Sequence, residues 1–274
     1  MSIVVCGKEF ASKELAFDFI RENKNVILME KKSRIKHADA VIYQPELIRG
    51  EGGEVAKAIE FSKDSPLAPF MAKLVINTTN IMDSHSDVHF PGIWKKSLQE
   101  NKNIIFLQEH VMRFPNVISD RVKATAETIA WKDLGYKYEG STQALVFETQ
   151  IDPDRNPYMA EQYAKGYVKN HSVGMQYVNI AFALNSESKY DKDEKAVWDK
   201  YIGQIVNRDA VEAQGYFFAV FEAKCIEGSA VVMGSNFATP VLEITEGAGK
   251  STPENEPPEG TQEKKTGWEY FKFN

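Results

Sequence analysis

Residues 169–180 read Lys-Asn-His-Ser-Val-Gly-Met-Gln-Tyr-Val-Asn-Ile, a run of apolar and β-branched residues that predicts a β-strand. Successive side chains of a strand point to opposite faces, so Ser172 and Gly174 share one face and His171 points to the other. Because Gly174 lacks a side chain, we expect it to let a substrate backbone approach Ser172. Ser172 is therefore a candidate nucleophile, and His171 is not its expected base.

Further strand patterns occur on both sides of this segment. The strongest are Leu74–Ile76, Ile104–Leu107, Ala144–Phe147, Val173–Ile180, Phe217–Phe221 and Ser229–Met233. Two helices are predicted between them: one opens at Asn156-Pro157 and ends near Gly166, and the other is amphipathic and lies within residues 188–206. Several strands with inserted helices predict an α+β fold, in the form of a β-barrel surrounded by helices.

The opening of the chain predicts a small strand–helix–strand unit. Ile3–Cys6 and Asn25–Met29 are short apolar runs, and between them a helical pattern begins at Ser12, a suitable N-cap. Residues 1–70 are accordingly predicted to be an appended N-terminal α/β unit, followed by the main domain at 71–245.

The last part of the chain differs in composition. Residues 246–267 consist mostly of Gly, Pro, Ser, Thr, Glu and Lys, which predicts a disordered linker. Four aromatic residues then fall within the last seven positions: Trp268, Tyr270, Phe271 and Phe273. Residues 246–274 therefore predict a linker with an aromatic C-terminal peptide, which either docks on a partner or folds back on the body of the protein.

The bulk composition limits the classes of function. With 43% hydrophobic and 26% charged residues, the chain has the composition of an ordinary globular protein. No apolar run approaches the roughly 20 residues that a membrane span needs, and Met1–Cys6 lacks the features of a secretory signal, so we expect no membrane partner and a cytoplasmic location. A net charge of −6 argues against a nucleic-acid partner. Cys6 and Cys225 cannot build a disulfide framework and are expected to be buried.

Catalysis by a serine requires a base that takes its proton and a third group that orients this base. The five histidines are His37, His85, His89, His110 and His171. His110 ends the run Asn103–His110, in which a buried strand passes into polar residues, so its imidazole is expected at the rim of the core.

Two carboxylates compete for the third position. Glu227 opens an apolar strand, where a carboxylate must be paired or hydrogen-bonded. Glu222 lies five residues earlier, and this odd separation means that only one of the two faces a given site in a regular strand.

A different chemistry is suggested by Asp83, His85, Asp87 and His89, which alternate along the chain. On one strand face these side chains could form a metal site, and the protein would then be a metal-dependent hydrolase. The other interpretation of this segment is a polar strand edge and a turn before Pro91-Gly92.

Four segments in order resemble the prohead (capsid-maturation) proteases of tailed bacteriophages, which are distantly similar to the herpesvirus assemblins. The segments are Met82–Trp94, Ile105–His110, His171–Met175 and Ile226–Val232. In that family the first contains Asp and ends in Pro-Gly, the second carries the catalytic His, the third reads Ser-[Ile/Val]-Gly, and the fourth reads Glu-x-Ser-x-Val. The resemblance extends from about residue 73 to residue 240, while the first 60 or so residues match nothing in that protease core.

The resemblance implies a fold and a catalytic triad. The fold is an assemblin-like β-barrel, and the triad consists of His110 as base, Ser172 as nucleophile and Glu227 as third member, whereas the herpesvirus relatives use a second histidine there. The amides of Gly234 or Ser235 would hold the oxyanion, and no metal or cofactor is required. The charged stretch 185–208 is longer than the family leads us to expect.

The resemblance also implies a function and a setting. The enzyme would cleave scaffold protein, segments of the major capsid protein and itself, inside the assembling prohead in the host cytoplasm. Its partners would be these substrates and other copies of itself, with a homodimer as an open option. The alternative from a non-enzyme class is a catalytically inactive capsid scaffold subunit, which self-cleavage of the isolated chain would exclude.

Overall fold

The structure, a computed structural model, describes residues 3–33, 35 and 67–246. The predicted linker beyond Glu246, the aromatic C-terminal peptide and His37 lie outside the described residues. Five α-helices and several sheets are present in the described part, which confirms the predicted α+β class.

The strands are β1 (Ile3–Val5), β2 (Lys8–Phe10), β3 (Phe70–Thr78), β4 (Asp87–His89), β5 (Ile105–Gln108), β6 (Val117–Ser119), β7 (Val122–Ala130), β8 (Ser141–Ile151), β9 (Asn170–Leu184), β10 (Tyr216–Val231) and β11 (Val241–Glu246). The helices are α1 (Lys13–Ser33), α2 (Lys95–Glu100), α3 (Pro157–Ala164), α4 (Lys192–Tyr201) and α5 (Arg208–Gln214). Strand β10 is 16 residues long and joins two segments that the sequence predicted as separate strands. Among the described helices, none combines the length and apolarity needed to cross a bilayer.

Strand β10 organises a five-stranded sheet. Strand β9 pairs with it antiparallel along one edge, over almost the full length of both strands. Along the other edge lie β4 and then β5, both parallel to β10, and β6 pairs with β5. The C-terminal part of β10 therefore lies between the start of β9 and the end of β5.

A second, antiparallel sheet packs face to face on the first, with the strand order β11-β3-β8-β7. Phe147 of β8 and Ile76 of β3 lie against Gly228 of β10, where an added Cβ would come within 2.3 Å of the Phe147 ring. The glycine thus lets the two sheets approach closely at this point.

Within residues 67–246 the strands do not form the predicted closed barrel. Strands β6 and β7 are separated only by Asp120 and Arg121, yet β6 pairs with β5 and β7 pairs with β8 in the other sheet. The chain crosses from one sheet to the other at this corner, and two open sheets result.

The opening of the chain differs from the predicted strand–helix–strand unit. Strands β1 and β2 form a hairpin, and the apolar run 25–29 belongs to the 21-residue helix α1. No Gly or Pro interrupts α1, and only Ile27 of that run is buried, together with Ala16 and Ile20 on the same helix face. This face packs against β9 and joins the main hydrophobic core.

The predicted start of α3 is confirmed. Asn156 caps the helix by accepting a hydrogen bond of 3.0 Å from the backbone N–H of Met159, and Pro157 occupies the first helical turn. The helix carries Tyr163, whose hydroxyl contacts Nε2 of His171.

Candidate active site

The register of β9 and β10 brings Ser172 and Glu227 onto one face of the five-stranded sheet. Ser172 lies directly opposite Ser229, and Gly174 lies directly opposite Glu227. The pairing is regular over this part of β10, so residues two apart share a face. Since Gly228 on the other face contacts the second sheet, the face that carries Ser172 points away from that sheet.

Gly174 has a different role from the one predicted. An added Cβ at this position would lie 1.9 Å from Oε1 of Glu227 and 2.7 Å from its carboxyl carbon. The space above Gly174 is therefore filled by the Glu227 carboxylate and is not open to a substrate backbone. The Ser-x-Gly pattern has a physical reason: only glycine leaves room for a carboxylate that crosses from the neighbouring strand.

His110 reaches this face from a tight turn after β5. The backbone N–H of Val111 bonds to the carbonyl of Gln108, and the two central residues, Glu109 and His110, have left-handed φ angles of +53° and +57°. Such a conformation is unfavourable for non-glycine residues and persists where the surroundings hold it. Here the Glu109 N–H bonds to the Ala230 carbonyl at 2.9 Å, next to the candidate site.

The imidazole of His110 contacts the carboxylate of Glu227. Nδ1 of His110 lies 2.5 Å from Oε1 of Glu227, although the two residues are 117 positions apart in the chain. A carboxylate accepts a hydrogen bond, so Nδ1 carries the proton, and in the neutral ring Nε2 carries the lone pair. This is the tautomer that a general base for a serine requires.

A second serine completes the arrangement. Ser229 donates a 2.6 Å hydrogen bond from its hydroxyl to Oε2 of Glu227 and accepts one of 3.1 Å from the backbone N–H of His110. The Glu227 and Ser229 side chains are fully buried, and the His110 side chain is 6% exposed. The sequence analysis did not identify Ser229 as a site residue, although its place two residues after Glu227 puts both on one strand face.

Ser172 itself makes no side-chain hydrogen bond to any described residue. Its hydroxyl oxygen is buried, and the residue is 3% exposed. The hydrogen bond between Ser172 and His110 that serine catalysis uses is therefore not formed in this structure. In enzymes without bound substrate such bonds are often long or poorly aligned and tighten only in the complex.

His171 occupies the opposite face, as its position beside Ser172 predicts. Its Nδ1 lies 2.8 Å from the carbonyl oxygen of Thr239, and its Nε2 lies 2.8 Å from the hydroxyl of Tyr163. Burial lowers the pKa of His171 to about 4, which keeps the ring neutral. Both ring nitrogens are engaged in these contacts on the face opposite to Ser172, so His171 is not available as its base.

The competing residues lie elsewhere or are unreactive. Glu222 faces Lys96, with 3.6 Å between the ammonium and a carboxylate oxygen. Irregular pairing around residues 220–227 breaks the simple alternation on which the comparison of Glu222 and Glu227 relied. Cys225 is buried, and burial, followed by the charge of Glu227, raises the pKa of its thiol. Cys6 is exposed, contrary to expectation.

The segment predicted to hold the oxyanion lies beside the nucleophile strand. An added Cβ at Gly234 would be 2.8 Å from the carbonyl oxygen of His171, the residue before Ser172. The segment is anchored by Asn236, which accepts a 3.0 Å hydrogen bond from the Thr78 hydroxyl and donates one of 2.9 Å to the Thr78 carbonyl.

The segment considered for a metal site does not form one. Residues 83–86 form a turn in which the Ser86 N–H bonds to the Asp83 carbonyl, and strand β4 begins only at Asp87. The Asp83 carboxylate accepts the backbone N–H groups of His85 and Asp87, at 2.8 and 2.9 Å. Over residues 3–33, 35 and 67–246, no group of three or more His, Cys, Asp or Glu side chains is placed to hold a metal ion. The alternation argument failed because these residues do not lie on one extended strand.

Asp87 and His89 instead belong to a buried chain of hydrogen bonds. Lys31 of α1 forms an ion pair with Asp87, whose other oxygen accepts the Tyr177 hydroxyl at 2.8 Å. The Tyr177 hydroxyl also contacts His89 Nε2 at 3.1 Å, and His89 Nδ1 lies 2.9 Å from the side-chain nitrogen of Asn77. The chain links α1 to both sheets, and no sequence signal connected Lys31 with residues so distant along the chain.

Comparison of the chain with family models, with curated proteins and with solved structures finds no match. The resemblance to prohead proteases therefore rests on the four ordered sequence segments.

Proposed function

We propose that the protein is a serine endopeptidase in which Ser172 is the nucleophile, His110 the general base and Glu227 the third member. The observation that carries the proposal is the 2.5 Å contact between His110 Nδ1 and Glu227 on the sheet face that also holds Ser172. The turn after β5, strand β9 and strand β10 are distant in sequence and supply one residue each, in the chain order base, nucleophile, carboxylate.

The chemistry follows from this arrangement. The Ser172 hydroxyl attacks a peptide carbonyl carbon while Nε2 of His110 takes its proton, and the Glu227 carboxylate balances the positive charge of the ring. The resulting oxyanion would be held by backbone N–H groups of Gly234 or Ser235. Return of the proton to the amide nitrogen releases the amine product, and a water molecule, deprotonated by His110, then hydrolyses the acyl-enzyme.

The biological setting is proposed from the family resemblance. We assign the enzyme to capsid maturation, where it cleaves scaffold protein, segments of the major capsid protein and itself inside the prohead in the host cytoplasm. We also propose that the fold is related to the assemblin-like fold, although the strands of this protein form two packed sheets. Residues 246–267 would be a self-cleavage region, and the aromatic peptide that follows would direct packaging.

The test is self-cleavage and peptide hydrolysis by the purified full-length chain. Ser172→Ala and His110→Ala should each abolish most activity. Glu227→Gln should retain more, because substitution of the orienting residue lowers the rate less than substitution of the nucleophile or the base. The inactive scaffold alternative predicts no cleavage by the parent chain. Parent-like cleavage by Ser172→Ala would overturn the assignment of the nucleophile.

A further inference from the structure

We propose that Ser229 is the positioning residue of the site, holding both the base and the carboxylate in their productive places. This inference rests on the proposed function, because it concerns the same site. Ser229 does not act on the substrate in this account: it acts through His110 and Glu227.

The Ser229 hydroxyl lies between two members of the proposed triad, Glu227 and His110. It donates to Oε2 of Glu227 at 2.6 Å and accepts from the backbone N–H of His110 at 3.1 Å. The hydroxyl thus donates one hydrogen bond, which restrains Glu227, and accepts another, which restrains His110. A hydroxyl is the smallest side-chain group that can donate and accept at once.

The second argument is the conformation of the turn that carries His110. Glu109 and His110 both have positive φ angles, which are unfavourable for non-glycine residues. The hydrogen bond from the His110 N–H to Ser229 offsets part of this cost at the residue that carries the base. Without it, the turn loses a hydrogen bond at the residue that carries the base.

The third argument concerns the two oxygens of Glu227. Oε1 faces His110 Nδ1, and Oε2 accepts from Ser229, so the plane of the carboxylate is set from both ends. Gly174 provides the space in which this plane lies, since any Cβ there would overlap Oε1. Loss of the bond to Oε2 removes one of the restraints on the carboxylate plane, and with it a restraint on the direction of the contact with His110.

The experiment compares Ser229→Ala with Ser97→Ala in the full-length chain. Ser97 is the matched control. Like Ser229, it is buried and its hydroxyl accepts a hydrogen bond from a backbone N–H, in this case that of Cys225 in β10 at 2.8 Å. Two quantities are measured, the split between kcat and KM for peptide hydrolysis and the far-downfield proton NMR signal of the His110 ring N–H, assigned by its loss in His110→Ala.

We expect Ser229→Ala to lower kcat about 10²-fold at unchanged KM, the typical effect of misplaced catalytic groups, and to shift or broaden the ring N–H signal. Ser97→Ala should change neither quantity. Ser229→Cys, which nearly keeps the side-chain volume but bonds weakly through sulfur, should show the same loss and provides the test if Ser229→Ala does not fold.

A parent-like kcat and ring N–H signal in either Ser229 variant would overturn the inference, and so would equal losses in Ser97→Ala. The two proposals remain distinguishable. If the parent chain hydrolyses no peptide, the proposed function fails, while the ring N–H signal still decides whether Ser229 positions His110.

Discussion

His110 and His171 lie on opposite faces of the same sheet and have opposite surroundings. His171 is the sequence neighbour of Ser172, yet both of its nitrogens are engaged between the sheets, by Tyr163 and by the Thr239 carbonyl. His110 comes from a turn after a different strand, and its ring meets a buried carboxylate on the face of Ser172. Closeness along the chain therefore says little about partnership, because one step along a strand changes the face.

The two environments also differ in what they can do with a proton. The His171 ring bonds to two neutral groups, the Tyr163 hydroxyl and the Thr239 carbonyl, and burial holds the ring in its neutral form with a pKa of about 4. The His110 site contains a carboxylate that can balance the charge of a protonated ring. A ring that must be protonated transiently in each catalytic cycle fits the second environment and not the first.

Removal of each imidazole ring in turn should have different effects on catalysis and on stability. His110→Ala should lower kcat by about 10⁴-fold or more while leaving a folded protein, as loss of the base does in serine peptidases. His171→Ala should lower the thermal midpoint, since it leaves a cavity and two unpaired polar groups, but leave kcat of the folded fraction within about threefold. Activity lost in His171→Ala at an unchanged thermal midpoint, with His110→Ala still active, would reverse the two roles.

A second prediction concerns the space that the carboxylate occupies. Gly174→Ala places a Cβ 1.9 Å from the present position of Glu227 Oε1, so this oxygen must leave the position in which it contacts His110 Nδ1. We expect kcat to fall about 10²-fold or more and stability to fall by about 1–3 kcal/mol. Gly203→Ala is the control, because the nearest atom to an added Cβ there is 3.9 Å away. Full activity in Gly174→Ala would mean that Glu227 does not need its observed position.

A third prediction uses the pKa of His171. As the pH falls below 6.5, the unfolded chain takes up a proton at this residue, while the folded protein does so only near 4. The unfolded state thus binds more protons in this interval, and stability decreases as the pH falls, by about 3 kcal/mol for this group. Urea unfolding across the interval should show a smaller decrease in His171→Asn than in the parent. Equal decreases in both proteins would show that the histidine is not held neutral.

The sequence was sufficient for the local features of the site. Alternation along β9 placed Ser172 and His171 on opposite faces, and the cap and proline at Asn156-Pro157 located the start of α3. A strand at Glu227 was also predicted, although Glu227 lies within β10, which begins at Tyr216, and does not open the strand. These predictions depend on neighbouring residues only, which is why single-sequence patterns contain them.

The features that the sequence did not reveal depend on distant residues. Gly174 appeared to be an opening for substrate, because nothing local shows that Glu227 fills the space above it. The apolar run in α1 appeared to be a strand, because a short apolar segment fits both structures and only the packing against β9 decides. The predicted barrel was wrong for a similar reason, because the pairing partners of β6 and β7 are distant along the chain. After the corner at Asp120 and Arg121, β7 pairs with β8 in the other sheet.

Covalent labelling of the full-length chain with a fluorophosphonate probe, followed by peptide mapping in a mass spectrometer, identifies the serine whose hydroxyl is activated. We expect a single modified residue, Ser172, and loss of the modification in His110→Ala, because the hydroxyl is activated through that ring. Ser97→Ala, which lies outside the site, should be labelled like the parent. Modification of Ser229 in place of Ser172 would contradict Ser172 as the nucleophile, and equal labelling of the parent and His110→Ala would contradict His110 as its base.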